Sequence, residues 1–297
     1  MKNRDHHQLA PTPPMGWNSW DCYGASITEA ELLNNARFMA EHLRQYGWEY
    51  IVIDTSWYEP AIQGSIQVPF ADLEMDNYGR LVPAANRFPS SFKDQGLTLI
   101  ADQIHEMGLK FGLHIMRGIP RQAVHRDSPV YGSEATARQI ADPSSVCSWN
   151  SYMYGVDPCK YGAYEYYKSI FELYASWGVD FIKLDDASFT GGGIGADPYS
   201  AQNELDLIRQ ALNSCGRKMV LSLSPGPAPR GEVTHLASVA NMWRISADFW
   251  DDWKELRTAF DYCRLWEGVA QCGAWPDCDM LPIGRIGVDP VFEPAGA

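Results

Sequence analysis

Short apolar runs that read as buried strands alternate with longer stretches of helical period along nearly the whole chain. This alternation restricts the fold to βα units wound around a parallel sheet. The strands read as 15–20 (MGWNSW), 50–54 (YIVID), 110–115 (KFGLHI), 179–184 (VDFIKL), 218–224 (KMVLSLS) and 240–246 (ANMWRIS), with a short seventh near Cys272 to Met280. Helical patterns run from Thr28, whose spacing to Glu31 suits a capping box, to about Tyr46, and from about Ser91 to Met107 before Gly108. Others run from about Tyr161 to Trp177 before Gly178, and near 201–214 and 251–266. Residues 117–160 are too long for a plain connection and read as a lid or an insertion. The expected fold is an α/β, (β/α)8 TIM barrel over 1–297, apparently truncated after about the seventh strand, because the tail GRIGVDPVFEPAGA has no period.

In a parallel barrel the C-terminal strand ends form one rim, where active sites are built. Asp54, His114, Asp185, Ser224, Asp248 and Asp279 each lie at or just past such an end. One strand-end Asp is an ordinary cap or turn residue; six polar residues on one rim point to a site. In FIKLDD (181–186) the two-residue period puts Lys183 and Asp185 on one side and Asp186 on the other. A Lys beside Asp185 keeps that carboxylate ionised and makes it a candidate nucleophile or electrostatic stabiliser. Asp248, followed by Phe249 and Trp250, is the candidate acid: an apolar flank raises a carboxyl pKa, while Arg244 works the other way. Asp251 and Asp252 open the next helix and read as capping residues. Paired carboxylates of this kind suit glycoside hydrolysis. His114 has no second His or Cys at ligand spacing and reads as a hydrogen-bonding rim residue; GGGIG (191–195) lacks the phosphate-loop pattern and reads as a flexible loop beside the site.

The formal charge of −13 excludes the basic footprint that nucleic acid or an anionic membrane requires, so a neutral ligand is expected. Eleven Trp and fifteen Tyr fit either a plain core or a sugar cleft. No spanning segment or signal peptide is visible, so the chain as given reads as cytoplasmic, with export tied to a different native N-terminus. Seven cysteines without a CxxC pair read as mostly reduced thiols.

Six blocks in order, PPMGWNSW (13–20), YIVID (50–54), GLKFGLHI (108–115), FIKLD (181–185), WRISAD (243–248) and WPDCDML (275–281), resemble glycoside hydrolase family 27 over nearly the whole chain. This is the α-galactosidase and α-N-acetylgalactosaminidase group of retaining clan D enzymes. The resemblance implies a carbohydrate substrate, no metal or organic cofactor, Asp185 as covalent nucleophile and Asp248 as acid/base. It implies sugar-contacting or supporting roles for Trp17, Asp54, Lys183, Arg244 and Asp279. Members continue into a last barrel strand and usually a β-sandwich, neither of which is seen here. Three substrate-site positions depart from the family's habit: Thr55 stands for a second Asp, His114 for a Tyr, and Ser224 for the Glu of α-galactosidases, a Ser there being usual in N-acetylgalactosaminidases. Ala187 replaces a Cys, so the resemblance implies that one family disulfide is missing.

The function expected is hydrolysis, with retention, of a terminal α-linked galactose-type sugar. The departures open the same chemistry on an α-N-acetylgalactosaminide, an α-glucan end or a β-L-arabinopyranoside. A catalytically silent carbohydrate-binding barrel, and an aldolase using Lys183 as a Schiff base, are the alternatives of other kinds.

Overall fold

The structure is a computed structural model that describes residues 5–62, 67–92, 95–187 and 201–282. Strands β1 (Gly16–Asn18), β2 (Tyr50–Ile53), β3 (Lys110–Met116), β4 (Phe181–Asp185), β5 (Val220–Leu223), β6 (Met242–Arg244) and β7 (Trp275–Asp277) form one sheet. Each pairs in parallel with its sequence neighbour, so the sheet curls as seven consecutive strands of a TIM-type barrel. The loop GGGIG and the aperiodic tail lie outside the described residues.

The two-residue period sorts side chains between the helices outside and the barrel interior. Ile51, Ile53, Leu113, Ile182, Leu184, Leu221 and Leu223 join the large core under the helices. The alternate residues Tyr50, Val52, Phe181 and Val220 make a separate apolar floor inside the curl. Gly112 completes that floor in register with Val52 and Phe181; a Cβ there would come within 2.9 Å of the Val52 side chain. One step further toward the C-terminal rim, the same inward faces carry Asp54, His114, Lys183 and Asp185. The pleat that builds the floor therefore also aims the polar residues into one space.

One expectation changes and another gains detail. The helix expected from Ser91 begins at Thr98, after a 3-10 turn at Pro89–Ser91. Gly96, at φ +55°, packs so closely on the Trp177 indole that a Cβ would sit 2.0 Å from its nitrogen, and this bend postpones the helix. Residues 117–160 form an insertion with its own structure: Ile119–Pro120, Met153–Val156 and Ala141–Val146 make an antiparallel sheet, accompanied by helices Arg121–Arg126 and Ala137–Ile140. Arg121 ties it together, its guanidinium over the Tyr154 ring and its N–H donating to Tyr152 O at 2.8 Å. Among the described residues no helix is long and apolar enough to cross a membrane.

Candidate active site

Along β2 to β4 the polar layer is largely buried and paired. Asp54, 3% exposed, accepts from Lys183 Nζ at 2.7 Å and Asn18 Nδ2 at 2.8 Å on one oxygen, and from the Thr55 N–H at 2.8 Å on the other. Burial alone would raise the Asp54 pKa, but the Lys183 ammonium overrides it and holds the carboxyl well below the usual range. Burial likewise opposes the charge on Lys183, and the Asp54 and Asp185 carboxylates push its pKa up instead. Both partners are charged at neutral pH. This is a reason to hold a Lys inside an apolar strand.

Asp185 lies beside them with its side chain 18% exposed. One oxygen is 3.1 Å from His114 Nε2; the other accepts the Asp186 N–H at 3.0 Å. Burial works against the carboxylate, but the His114 hydrogen bond and charge, then Lys183, lower its pKa. The expected effect of Lys183 is present; the expectation missed that His114 contributes more.

Asp186 leaves the strand at φ +57°, a left-handed conformation that Asp tolerates, and its carboxylate turns away from the cleft. It meets Arg117 Nη2 at 2.7 Å, and Arg117 Nη1 reaches Glu204 at 2.6 Å, all three being buried. The Arg117 N–H donates to Asp185 O at 2.9 Å, so the same residue holds the β4 backbone at the rim. Burial raises Asp186 to about 6 in spite of Arg117. The second Asp of FIKLDD thus serves the scaffold.

The opposite wall is different. Arg244 is buried and pairs with Asp279 Oδ1 at 2.8 Å and Asp248 Oδ1 at 3.2 Å. Asp279 also accepts the Phe249 N–H at 2.7 Å, and burial lifts it to about 6 against the pull of Arg244. The Asp248 side chain is 58% exposed. Phe249, buried, and Trp250 line the cleft with it. Asp252 caps the helix Trp253–Leu265, as expected.

The walls enclose a cleft of about 330 Å³ lined by Asp54, Thr55, Lys183, Asp185, Ser224, Asp248 and Asp279 among the expected residues. That volume is at the lower end of small-molecule sites, roughly 300–1,000 Å³. His114 and Arg244 stand behind the lining and act on it through Asp185, Asp248 and Asp279. Trp17 is not on the cleft. It is in register with Ile51, on the outward face, and packs edge-on against Tyr23. The cleft aromatic from this strand end is Trp20, with Asp21 beside it.

Asn18, Asp21, Gln67, Trp149 and Met280 also belong to the site and are not singled out by the sequence. Asp21 makes no hydrogen bond or ion pair among the described residues. Burial first, then the Asp279, Asp54 and Asp248 carboxylates, push it up to about 7, partly offset by Lys183. Gln67 donates to Thr55 Oγ1 at 2.8 Å and accepts from Asn150 Nδ2 at 2.7 Å, linking the rim to the insertion.

Residues 152–291 match the family model described as Melibiase_2, alpha galactosidase A. A variant of a GH27 β-L-arabinopyranosidase from Geobacillus stearothermophilus, solved with arabinose, is 54% identical, with a TM-score of 0.92 over 96% of this chain and 65% of that one. A structure from Bacillus halodurans C-125, described as a candidate α-N-acetylgalactosaminidase, is 55% identical, with a TM-score of 0.80 over 96% of this chain and 64% of that one. Alpha-galactosidase 2 of Arabidopsis thaliana is 27% identical over 94% of this chain and 56% of its own length. The chain therefore spans between half and two thirds of these relatives.

Proposed function

From the premise that the chain belongs to glycoside hydrolase family 27, we propose that it is the barrel part of a catalytic domain that removes terminal β-L-arabinopyranosyl groups with retention of configuration. The observation that carries the reading is the pairing in one cleft of a half-buried carboxylate with lowered pKa, Asp185, and a solvent-reached carboxylate, Asp248. Asp185 attacks the anomeric carbon while Asp248, protonated, gives its proton to the leaving oxygen. Asp248 then takes a proton from water, which displaces Asp185 and frees the sugar. Asp54 and Lys183 hold ring hydroxyls, as an acceptor and a donor fixed against each other. Trp20 offers an apolar face to the ring.

The choice of sugar rests on the 54% identity to the β-L-arabinopyranosidase and on the wall at Thr55. A β-L-arabinopyranoside has the ring configuration of an α-D-galactopyranoside without its hydroxymethyl arm. Here a Thr hydroxyl, already engaged by Gln67, stands where a second carboxylate is usual, leaving less to grip such an arm. The second reading, an α-N-acetylgalactosaminide, is favoured by the small Ser224 on the cleft and by the Bacillus halodurans relative.

The test is a panel of aryl β-L-arabinopyranoside, α-galactoside, α-N-acetylgalactosaminide and α-glucoside, run on this chain, on a version extended over the relatives' remaining length, and on Asp185→Asn in each. Highest kcat/KM on the arabinopyranoside is expected, abolished in the variant, with the β anomer as the first product by NMR. Preference for another sugar would overturn the sugar assignment, and undiminished turnover by Asp185→Asn would overturn the site.

A further inference from the structure

Two cysteines that the reaction does not use lie sulfur to sulfur at the edge of the cleft. Cys263, exposed near the end of the helix Trp253–Leu265, has its Sγ 3.3 Å from the Sγ of Cys278, which directly follows β7. Cys278 is half-buried and also donates to Ala259 O at 3.5 Å. The sulfurs need to close by little more than an ångström to reach bonding distance, roughly 2.05 Å.

Their position gives the contact its consequence. Cys278 sits between Asp277 and Asp279, and Asp279 holds both Arg244 and the Phe249 N–H. Cys263 is on the helix that Asp252 caps, at the end of the loop that carries Asp248. Helix, loop and β7 end thus form a ring around the open wall, closed at one side by Asp279 and at the other by the two thiols. We propose that Cys263 and Cys278 are a reversible disulfide site that locks this wall in response to oxidation by a low-molecular-weight disulfide.

The exchange runs in two steps. Cys263, the exposed partner, loses its proton and attacks one sulfur of the oxidant RSSR; that S–S bond breaks and RS⁻ leaves, taking up a proton as RSH. Cys278 then loses its proton and attacks Cys263 Sγ, displacing the second RS⁻, which also becomes RSH. Two cysteine thiols are oxidised to one cystine and one RSSR is reduced to two RSH. The order follows from the surroundings. Burial first, then the bond to Cys263 and its charge, push Cys278 up to about 12, so it is the poorer first nucleophile. Once Cys263 is capped, the two contributions from Cys263 disappear and the second step is eased.

The experiment treats the chain with oxidised glutathione and maps the peptides. Expected are loss of two hydrogens in mass, a Cys263–Cys278 crosslinked peptide, full reversal by dithiothreitol, and a Tm gain of roughly 5 °C from closing a short loop. Cys263→Ser and Cys278→Ser each abolish the crosslink while keeping the reduced protein's Tm within a degree or so, which separates the bridge from a folding defect. A stable glutathione adduct on Cys263, or a bridge to another cysteine, would overturn the proposal. On the reading of function given above, turnover also changes between the two states. Absence of turnover in both states breaks that reading and leaves the mass measurement standing.

Discussion

The two walls of the cleft are built on opposite principles. Along β2 to β4, Asp54, His114, Lys183 and Asp185 are held by strands, largely buried, and paired at 2.7 to 3.1 Å. Across from them Asp248 and Asp21 ride on segments beyond the strand ends, Asp248 mostly exposed and Asp21 without a partner among the described residues. A group that attacks a fixed carbon gains from a fixed charge and a lowered pKa, whereas a group that gives up and regains a proton in each cycle needs water within reach. Preorganisation on one side and access on the other match the division of labour proposed for Asp185 and Asp248.

The largest effect expected is on the fixed wall. Asp185→Asn, which keeps shape and removes charge, lowers kcat by roughly 10⁴-fold or more, while Asp248→Asn costs about 10²–10⁴-fold and less on aryl glycosides with good leaving groups. Equal sensitivity of both variants to the leaving group, measured with a series of substituted phenols, would erase the distinction between the walls. Next is the support behind Asp185. Arg117→Met leaves Asp186 and Glu204 as buried carboxylates without their cation, and such a loss costs about 3–5 kcal/mol of stability. Denaturant midpoints test this; a loss below about 1 kcal/mol would mean that the network is dispensable to β4.

Much of the fixed wall is legible in the sequence and little of the open one is. A strand's two-residue period fixes direction, so the order of residues alone assigns Lys183 and Asp185 to the interior and Asp186 to the other side. The same rule, applied to the first strand, sets Trp17 outward and Asn18 inward. A sugar-contacting role for Trp17 overlooks that β1 ends at Asn18, which puts Trp20 and Asp21 on the rim. The exposure of Asp248 is not legible for another reason: past a strand end, neighbours in sequence need not share burial, so Phe249 is buried while Asp248 is not. Gln67 and Trp149 come from excursions without period, and only the folded insertion brings them to the cleft. Arg117, Asp186 and Glu204 are likewise joined only by tertiary structure.

A smaller effect sharpens the comparison through pH. His114→Phe takes away the hydrogen bond that lowers the Asp185 pKa, so the acid limb of the kcat/KM profile moves to higher pH and kcat falls by about 10–100-fold. Wild type, with its lowered pKa, keeps Asp185 ionised further into acid; an unmoved acid limb in the variant would show that Lys183 alone suffices.

The smallest effect belongs to Asp21 and concerns stability. Its carboxyl titrates near 7 in the folded chain and near 4 in the unfolded one. Between those values the folded state binds more protons, so stability falls as pH rises through the window and the whole penalty is present above about 7. Asp21→Asn cannot ionise and escapes it. The side chain is partly exposed, and discounting the shift for solvent leaves a gain of about 1–2 kcal/mol, or roughly 2–4 °C in Tm, at pH 8. At pH 3 the gain vanishes, because both states then carry the proton. Melting curves for wild type and variant across this range should therefore diverge as pH rises. A constant offset would mean that Asp21 is ionised throughout, and that the open wall tolerates its crowd of carboxylates without the cost its partnerless position implies.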